Sequence, residues 1–162
     1  MSPLSVALLV VGILAGTAAA LFLVWIPVSA RMRKLVATLG PELAAEGEPA
    51  VRGPETGGFQ GASGQYGRVK GAGVIAMTDK RLVFRGVFGK RIDLDLTELT
   101  AVREDKWFLR SYKGGRPYLI IKTKAGVELG FFVKDHAGWM VALRNIISTQ
   151  PVTLLPADAR SR

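Results

Sequence analysis

Residues 78–96, TDKRLVFRGVFGKRIDLDL, alternate charged and apolar side chains on both sides of a glycine-containing break. Such alternation is typical of a strand with one face buried and one face in water. The runs RLVFR (81–85) and RIDLDL (91–96) therefore predict two antiparallel strands joined by a tight hairpin. Its three-residue loop is Val-Phe-Gly, and Gly89 is predicted to take the left-handed conformation that the turn requires.

The predicted hairpin divides its side chains into a charged set that faces outward and an apolar set that faces the core. Arg81 is expected opposite Asp95, and Arg85 diagonal to Asp93, so that much of the outward charge is answered locally, though not all of it. Phe88 has no core position and is expected to be exposed at the tip of the loop. The inward set is Leu82, Phe84, Ile92, Leu94 and Leu96.

The rest of the second half of the chain also reads as strand. Short apolar or alternating runs such as GAGVIAMT, LTAVRE, PYLIIKT and VELGFFV follow one another at hairpin spacings, and Phe84 and Phe132 are expected in the core. Before them, residues 53–73 contain eight glycines, which predicts long loops or a loosely paired hairpin. After them, Asp135 is a candidate N-cap of a helix. Its apolar stripe is Trp139, Leu143, Ile146 and Ile147. The predicted fold is mainly β, an antiparallel barrel or sandwich capped by a C-terminal α-helix.

The N-terminal part differs sharply from this, because no charged residue precedes Arg31. As a helix, residues 4–26 would be about 34 Å long, enough to cross a hydrocarbon core of roughly 30 Å. Trp25 ends this segment, and Arg31, Arg33 and Lys34 follow it, which puts that end in the cytoplasm. The sequence thus predicts a single-pass protein of the plasma membrane, with its N-terminus outside and its C-terminal domain inside.

A cleaved signal peptide is the alternative for this segment. The small residues 28–30 (VSA) resemble a cleavage site, and cleavage would release an exported soluble domain. However, no cation precedes the apolar run, the run is longer than a usual signal core of about 7–15 residues, and cations follow it directly. If the segment stays as an anchor, the stripe of Gly12, Gly16 and Ala20 predicts a surface for helix dimerisation.

The chain therefore divides into a transmembrane helix (4–26), a juxtamembrane linker (27–48), a β domain (49–148) and a flexible tail (149–162). The linker reads as an amphipathic helix that breaks at Gly40-Pro41. The chain has no cysteine, and its net charge of +9 belongs wholly to residues 31–162. Such a basic excess favours anionic surfaces.

The β region resembles the bacterial pleckstrin-homology-like and GRAM domains over about residues 70–148. The matching motifs occur in order: Met77-Thr78, then 81–84 (RLVF), then 92–94 (IDL), then 96–99 (LTEL). Trp139 in the closing helix completes them. The resemblance implies a bent seven-stranded antiparallel barrel closed by the helix, and bacterial members look like membrane-attached adaptors. The composition, rich in Ala, Gly and Val, suits a bacterial source.

The same resemblance does not carry lipid specificity to this chain. Members that bind phosphoinositides gather basic residues in the loop between their first two strands. The corresponding segment here offers only Arg68 and Lys70. Anionic lipid is therefore a second expected contact, after a protein partner of unknown identity.

The sequence offers little for catalysis, and no enzyme activity, metal or cofactor is expected. His136 has no companion histidine or cysteine for a zinc site. Asp93 and Asp95 face solvent on a hairpin, where nothing would perturb their pKa values as an acid–base pair requires. No phosphate-binding loop or nucleophile motif is present.

We therefore predict a scaffolding module that binds partners through cations and an exposed aromatic near its turns. Residues 65–124 hold 14 lysines and arginines against six acids. The candidate contacts to lipid or protein are Lys80, Phe88, Lys90, Arg91 and Lys113. A membrane-tethered nucleic-acid-binding domain is the alternative from another class, because basic sheets with aromatics also bind single strands.

Overall fold

A long N-terminal helix precedes the β domain. The computed structural model describes residues 3–64 and 66–149, with residues 3–10 and 18–25 described by their backbone alone. Helix α1 spans Pro3–Ala45 without the predicted break at Gly40-Pro41. The expected break is wrong because Leu39 and Leu43, on either side of Pro41, are both buried in one cluster against the sheet. Packing therefore holds the helix across a proline that has no amide hydrogen to donate.

The predicted membrane span, residues 4–26, lies within α1. Of the helices in the described part of the chain, none has both the length and the apolar character needed to cross a bilayer. Most of the predicted span, with the side chains of Ala20 and Trp25, lies outside the residues whose side chains are described. Residues 150–162 of the predicted tail also lie outside the described part.

Antiparallel strands form the body of the molecule. They are β1 Arg52–Ala62, β2 Gly71–Met77, β3 Arg81–Gly86, β4 Arg91–Asp95, β5 Leu99–Asp105, β6 Trp107–Phe108, β7 Ser111–Tyr112, β8 Tyr118–Thr123 and β9 Glu128–Val133. Seven of them make one curled sheet in the order β4-β3-β2-β1-β9-β8-β5, and β6 pairs with β7 in a small separate hairpin. A 3-10 turn, Leu96–Glu98, joins β4 to β5, and helix α2, His136–Thr149, closes the domain. The mainly antiparallel β fold with a C-terminal helix is confirmed.

The β3–β4 hairpin has the predicted register. Arg81 pairs with Asp95, and the Arg85 guanidinium donates to Asp93 across the diagonal at 3.0 Å. Gly89 has a φ of 87°, as the turn requires. All five of the predicted inward side chains, from Leu82 to Leu96, are buried in the main core. Alternation was sufficient for the register because the inward positions of both strands meet one core, although α1 covers Val83 on the outer face of β3.

Helix α2 lies against the sheet as its apolar stripe predicted. Trp139 is fully buried, and its indole Nε1 donates to the Glu55 carboxylate on β1 at 2.9 Å. Asp135 caps the helix by accepting the Gly138 amide at 3.1 Å. The hydrogen bond from Gly138, aided by Arg52, lowers the pKa of Asp135. The tryptophan thus fixes the helix both by burial and by a bond to the central strand.

The glycine-rich segment forms the β1–β2 hairpin rather than long loops alone, and β1 is the central strand of the sheet. β1 pairs with β2 on one side and with β9 on the other. A side chain at Gly57 would lie only 2.9 Å from the carbonyl oxygen of Phe132 on β9, so glycine permits this close approach. Phe59 supplies the core contact of the strand. Ladder partners on both sides hold a segment whose own propensity for strand is low.

Two separate elements cover the outer face of the sheet. The C-terminal part of α1 buries Leu39 and Leu43 against Val74, Ala76 and Val83 of β2 and β3. The β6–β7 hairpin buries Phe108 against Tyr118 and Ile120 of β8. We call these regions the α1-covered half and the hairpin-covered half of the sheet.

Candidate binding surfaces

Four of the predicted contact and orientation residues meet where α1 passes the β3–β4 turn. Arg31 of α1 lines a cavity of about 160 Å³ together with Lys90 and Arg91 of the hairpin. Phe88, at the tip of the same turn, is 79% exposed. We call the surface formed by Arg31, Phe88, Lys90 and Arg91 the hairpin–helix face. Arg33 and Lys34 are exposed on the same part of α1.

Lys90 is the most constrained cation of this face. Its ammonium donates to the carbonyl oxygen of Tyr66 in the β1–β2 loop and lies 5.0 Å from the centre of the Phe59 ring. Arg91 is exposed and pairs in register with Arg85. Lys90 therefore connects the hairpin turn to the neighbouring loop, whereas the side chains of Arg91 and Phe88 are exposed to solvent.

Two other predicted contacts lie elsewhere. Lys80, at the opposite end of β3, has its ammonium 3.6 Å from the Glu48 carboxylate. Lys113 follows β7 and has its ammonium 4.6 Å from the centre of the Phe132 ring. The structure therefore does not bring Lys80 and Lys113 to the hairpin–helix face. Gly12 and Gly16, from the predicted dimerisation stripe, are exposed on α1.

Two arginines of the α1-covered half, Arg81 and Arg85, are bound to acids. Arg81 forms ion pairs with Glu46 and with Glu48, the latter at 2.8 Å, beyond the end of α1. Burial lowers the pKa of Arg81, but these hydrogen bonds and charges outweigh burial, so the net pKa is raised. Arg85 pairs with Asp93 at 3.0 Å. Arg81 therefore joins the segment after α1 to β3, and Arg85 joins β3 to β4.

A basic groove lies in the hairpin-covered half, and of its cations only Lys113 was predicted as a contact residue. Two adjoining cavities, each of about 440 Å³, share Gln60 and Lys70 in their walls. The cations that line them come from the β1–β2 loop and from the β6–β7 hairpin: Arg68, Lys70, Arg110 and Lys113. Tyr112, Tyr118 and Phe132 line the second cavity. We call the two cavities together the basic groove.

Phe132 was expected in the core, but it lies on the outer face of the sheet, beside the basic groove. Phe131 is fully buried in the core, whereas Phe132 is only half-buried and faces outward. The alternation along β9 is set by Leu129, Phe131 and Val133, all inward. Phe132 therefore belongs to the opposite face, where Lys113 and Arg116 lie over its ring.

The potential catalytic residues are dispersed. His136 lies at the start of α2, with Nε2 3.5 Å from the Glu104 carboxylate. Asp93 is occupied by Arg85, and Asp95 accepts the Thr97 hydroxyl at 2.6 Å. In the part of the chain that the structure describes, no three histidines or acids are grouped as a metal would require.

Comparisons with known proteins add little to this geometry. No protein-family model matches the chain, and no curated protein matches it. Among solved structures, the C-terminal domain of an unknown protein from Leishmania infantum is similar at 16% identity, with a TM-score of 0.48. The similarity covers 67% of this chain and 90% of that one. It carries no argument about activity, ligand or partner.

Proposed function

We propose that this protein is a single-pass membrane protein whose pleckstrin-homology-like domain serves as a cytoplasmic binding module. The domain contacts the anionic inner leaflet through the hairpin–helix face and leaves the rest of its surface to a protein partner. The observation that carries this proposal is the meeting of Arg31 with the exposed Phe88 turn around one cavity.

The position of this meeting along α1 supports contact with lipid. Arg31 follows the end of the predicted span, Ile26, by five residues, or about 7.5 Å along a helix. The exposed ring of Phe88 and the charge of Arg91 therefore lie near the level at which lipid headgroups would begin. Cations near an anionic leaflet contribute about 1 kcal/mol each, and an aromatic ring adds apolar contact.

The continuity of α1 supports a fixed orientation. A flexible linker would let the domain rotate freely below the membrane, but α1 continues from the predicted span to Ala45 and packs on β2 and β3. The same part of the sheet would then always face the bilayer. This geometry favours a scaffold that presents its remaining surface in one direction.

The strand order supports the pleckstrin-homology-like assignment. Apart from the small β6–β7 hairpin, the chain follows a seven-stranded antiparallel path in which the first strand pairs with the last, and a helix with a buried tryptophan follows. The outer edge of β4 ends the sheet and is the edge at which we expect a partner segment to add.

A labelling experiment tests the lipid contact. The chain has no cysteine, so that Phe88→Cys and Val141→Cys each introduce one unique attachment point for a fluorophore. Val141 is also exposed, at 59%, but on α2. The full chain is placed in nanodiscs that carry quencher-labelled lipid, with either neutral or anionic headgroups.

We expect lipid quenching of the label at residue 88 in anionic nanodiscs, and less in neutral ones, because charge draws the face to the bilayer. The label at residue 141 should respond equally to both compositions. If the label at residue 88 is quenched no more than the label at residue 141 in anionic nanodiscs, the proposed contact is wrong.

A further inference from the structure

We propose that the outer face of the β6–β7 hairpin binds an acidic segment of a protein partner, one that also carries proline or aromatic rings. The rings of Trp107 and Tyr112 are exposed on this face, and we call this pair the aromatic platform. The platform is separate from the hairpin–helix face and from the edge of β4. The inference rests on the proposed binding module only for the expectation of a protein partner, and it adds the place and the chemistry of that contact.

The two rings of the platform face away from the sheet because the hairpin buries its other side. Phe108 is buried against β8, and a side chain at Gly130 of β9 would overlap its ring. Trp107 precedes Phe108 along β6, and successive residues of a strand point to opposite faces. Tyr112 lies opposite Trp107 in the register, with the two ring centres 5.1 Å apart and the ring planes inclined by 31°. The rings therefore form one continuous aromatic surface.

This surface is exposed to a degree that the fold itself does not require. Trp107 is 61% exposed and Tyr112 is 51% exposed, although such a side chain can remove about 150–250 Å² from water when it is buried. Among the described residues, Tyr112 is the only ring that contacts Trp107. Tryptophan and tyrosine are also the residues that contribute most at the centres of protein interfaces. A partner that covers the platform would remove its apolar surface from water.

The charge around the platform favours an acidic partner. Residues 106–116 (KWFLRSYKGGR) hold four cations and no acid. The four are all exposed: Lys106, Arg110, Lys113 and Arg116. In the described part of the chain, none of them forms an ion pair. Asp105, just before the hairpin, already accepts from Arg103 and from the Trp107 amide, both at 3.0 Å. The hairpin therefore complements carboxylates on a partner.

The place of the hairpin favours a protein partner over the bilayer. Helix α1 packs on β2 and β3, whereas the hairpin packs on β8 and β9, beyond the central strand β1. By the strand registers, the last pair before the hairpin, Asp105 with Tyr118, lies at the end of the sheet opposite the Phe88 turn. The platform thus belongs to the surface that the proposed function leaves to a partner.

The arrangement of the rings also bears on the class of partner. Trp107 and Tyr112 stack on each other, whereas proteins that bind single strands stack successive bases on their aromatic side chains. Proline rings pack well on such an aromatic surface, and a proline-containing segment is already extended, so that little conformational entropy is lost on binding. Carboxylates beside these rings would form charge-assisted hydrogen bonds with the hairpin cations. An acidic segment with rings therefore fits both features.

The test measures binding of a synthetic peptide to the full chain in nanodiscs of neutral lipid, by fluorescence anisotropy. The peptide consists of Glu-Trp-Glu-Pro repeats, and a second peptide has lysine in place of each glutamate. Trp107→Ala removes half of the platform, and Phe88→Ala is its matched control, because Phe88 is an exposed aromatic on the hairpin–helix face. Lys106→Glu reverses a charge beside the platform. Arg144→Glu makes the same change in net charge on α2.

We expect saturable binding of the acidic peptide and much weaker binding of the lysine peptide. Trp107→Ala should weaken binding about tenfold, which corresponds to about 1.4 kcal/mol. It should leave the resistance to urea close to that of the wild type, because the ring is exposed. Lys106→Glu should weaken binding several-fold and reduce its dependence on salt. Phe88→Ala and Arg144→Glu should bind within about twofold of the wild type, because neither residue belongs to the hairpin.

Equal binding of the two peptides would overturn the proposal, and so would equal losses in Trp107→Ala and Phe88→Ala. Loss of peptide binding in anionic nanodiscs would show that the hairpin lies on the bilayer. A single-stranded oligonucleotide that binds a chain that ignores the acidic peptide would assign the hairpin to nucleic acid. Both results would also overturn the proposal. The lipid contact is tested separately by the label at residue 88, so that failure of one proposal is distinguishable from failure of the other.

Discussion

The two covered halves of the sheet differ in how their cations are paired. On the α1-covered half, Arg81 and Arg85 are bound to Glu46, Glu48 and Asp93. On the hairpin-covered half, the four cations of the basic groove have no acidic partner in the described part of the chain. The paired arginines of the α1-covered half serve attachment, whereas Arg31 and Arg91 of its hairpin–helix face form no ion pair in the described part of the chain.

The elements that cover the two halves also differ in how closely they pack on the sheet. Helix α1 lays an apolar seam on β2 and β3 and leaves beside it a cavity of only about 160 Å³. The β6–β7 hairpin is held mainly by Phe108 and leaves two cavities of about 440 Å³. Net charge alone would not separate these halves. A cation can bind a partner only if it is not already paired with an acid of the chain.

The largest effect should come from the apolar seam beneath α1. Leu39→Ala removes a side chain that is 1% exposed, and we expect a loss of about 3 kcal/mol in the free energy of unfolding. Urea unfolding of the full chain in detergent measures it, and hydrogen exchange should rise in α1 and β3 but not in β6 and β7. Glu42→Ala, one turn away and exposed, should change little. Equal effects of the two substitutions would show that α1 does not pack on the sheet as described.

A smaller effect is expected on the hairpin-covered half. A methyl group at Gly130 would overlap the ring of Phe108, so Gly130→Ala should cost about 1–3 kcal/mol and raise hydrogen exchange in β6 and β7. The double-mutant cycle with Phe108→Ala gives the control. Because the ring is the obstacle, the two losses should not add. Additive losses would place the hairpin elsewhere.

The smallest effect is on the loss of folding stability at low pH, through Asp95 on the α1-covered half. Hydrogen bonds from the Thr97 hydroxyl and amide lower the pKa of Asp95. A lowered folded pKa means that Asp95 adds stability above its unfolded value of about 3.9 and loses it as the pH falls through the folded value. Asp95→Asn and Thr97→Val should therefore lose less stability than the wild type between pH 6 and pH 3. Equal losses in all three proteins, measured by urea unfolding, would contradict this role.

The sequence predicted the register of the β3–β4 hairpin because the core residues of both strands, Leu82, Phe84, Ile92 and Leu94, recur at every second position. It predicted at most a loosely paired hairpin for β1 and not its pairing with β9, because the glycines of that strand conceal its period. One feature of the sequence could have predicted that α1 packs on the sheet. The apolar run Val74-Ile75-Ala76-Met77 is typical of a strand covered on both faces.

The candidate sites were also harder to predict where their residues are distant in sequence. Arg31 was predicted to orient the chain in the membrane and Phe88 to contact lipid or a partner, but only the packing of α1 brings Arg31 to the Phe88 turn. The basic groove escaped prediction because Lys70, Arg110 and Tyr118 are distant in sequence and meet only through the fold. The two-residue strands β6 and β7 are also too short to show a period.

The orientation of the α1-covered half beneath the membrane can be measured most directly with two single cysteines. Ser2→Cys and Val141→Cys are expressed separately as full chains, and intact cells are treated with a maleimide that cannot cross membranes. We predict that the cysteine at residue 2 reacts on intact cells and that the cysteine at residue 141 reacts only after permeabilisation. Reaction of the cysteine at residue 141 on intact cells would contradict the account.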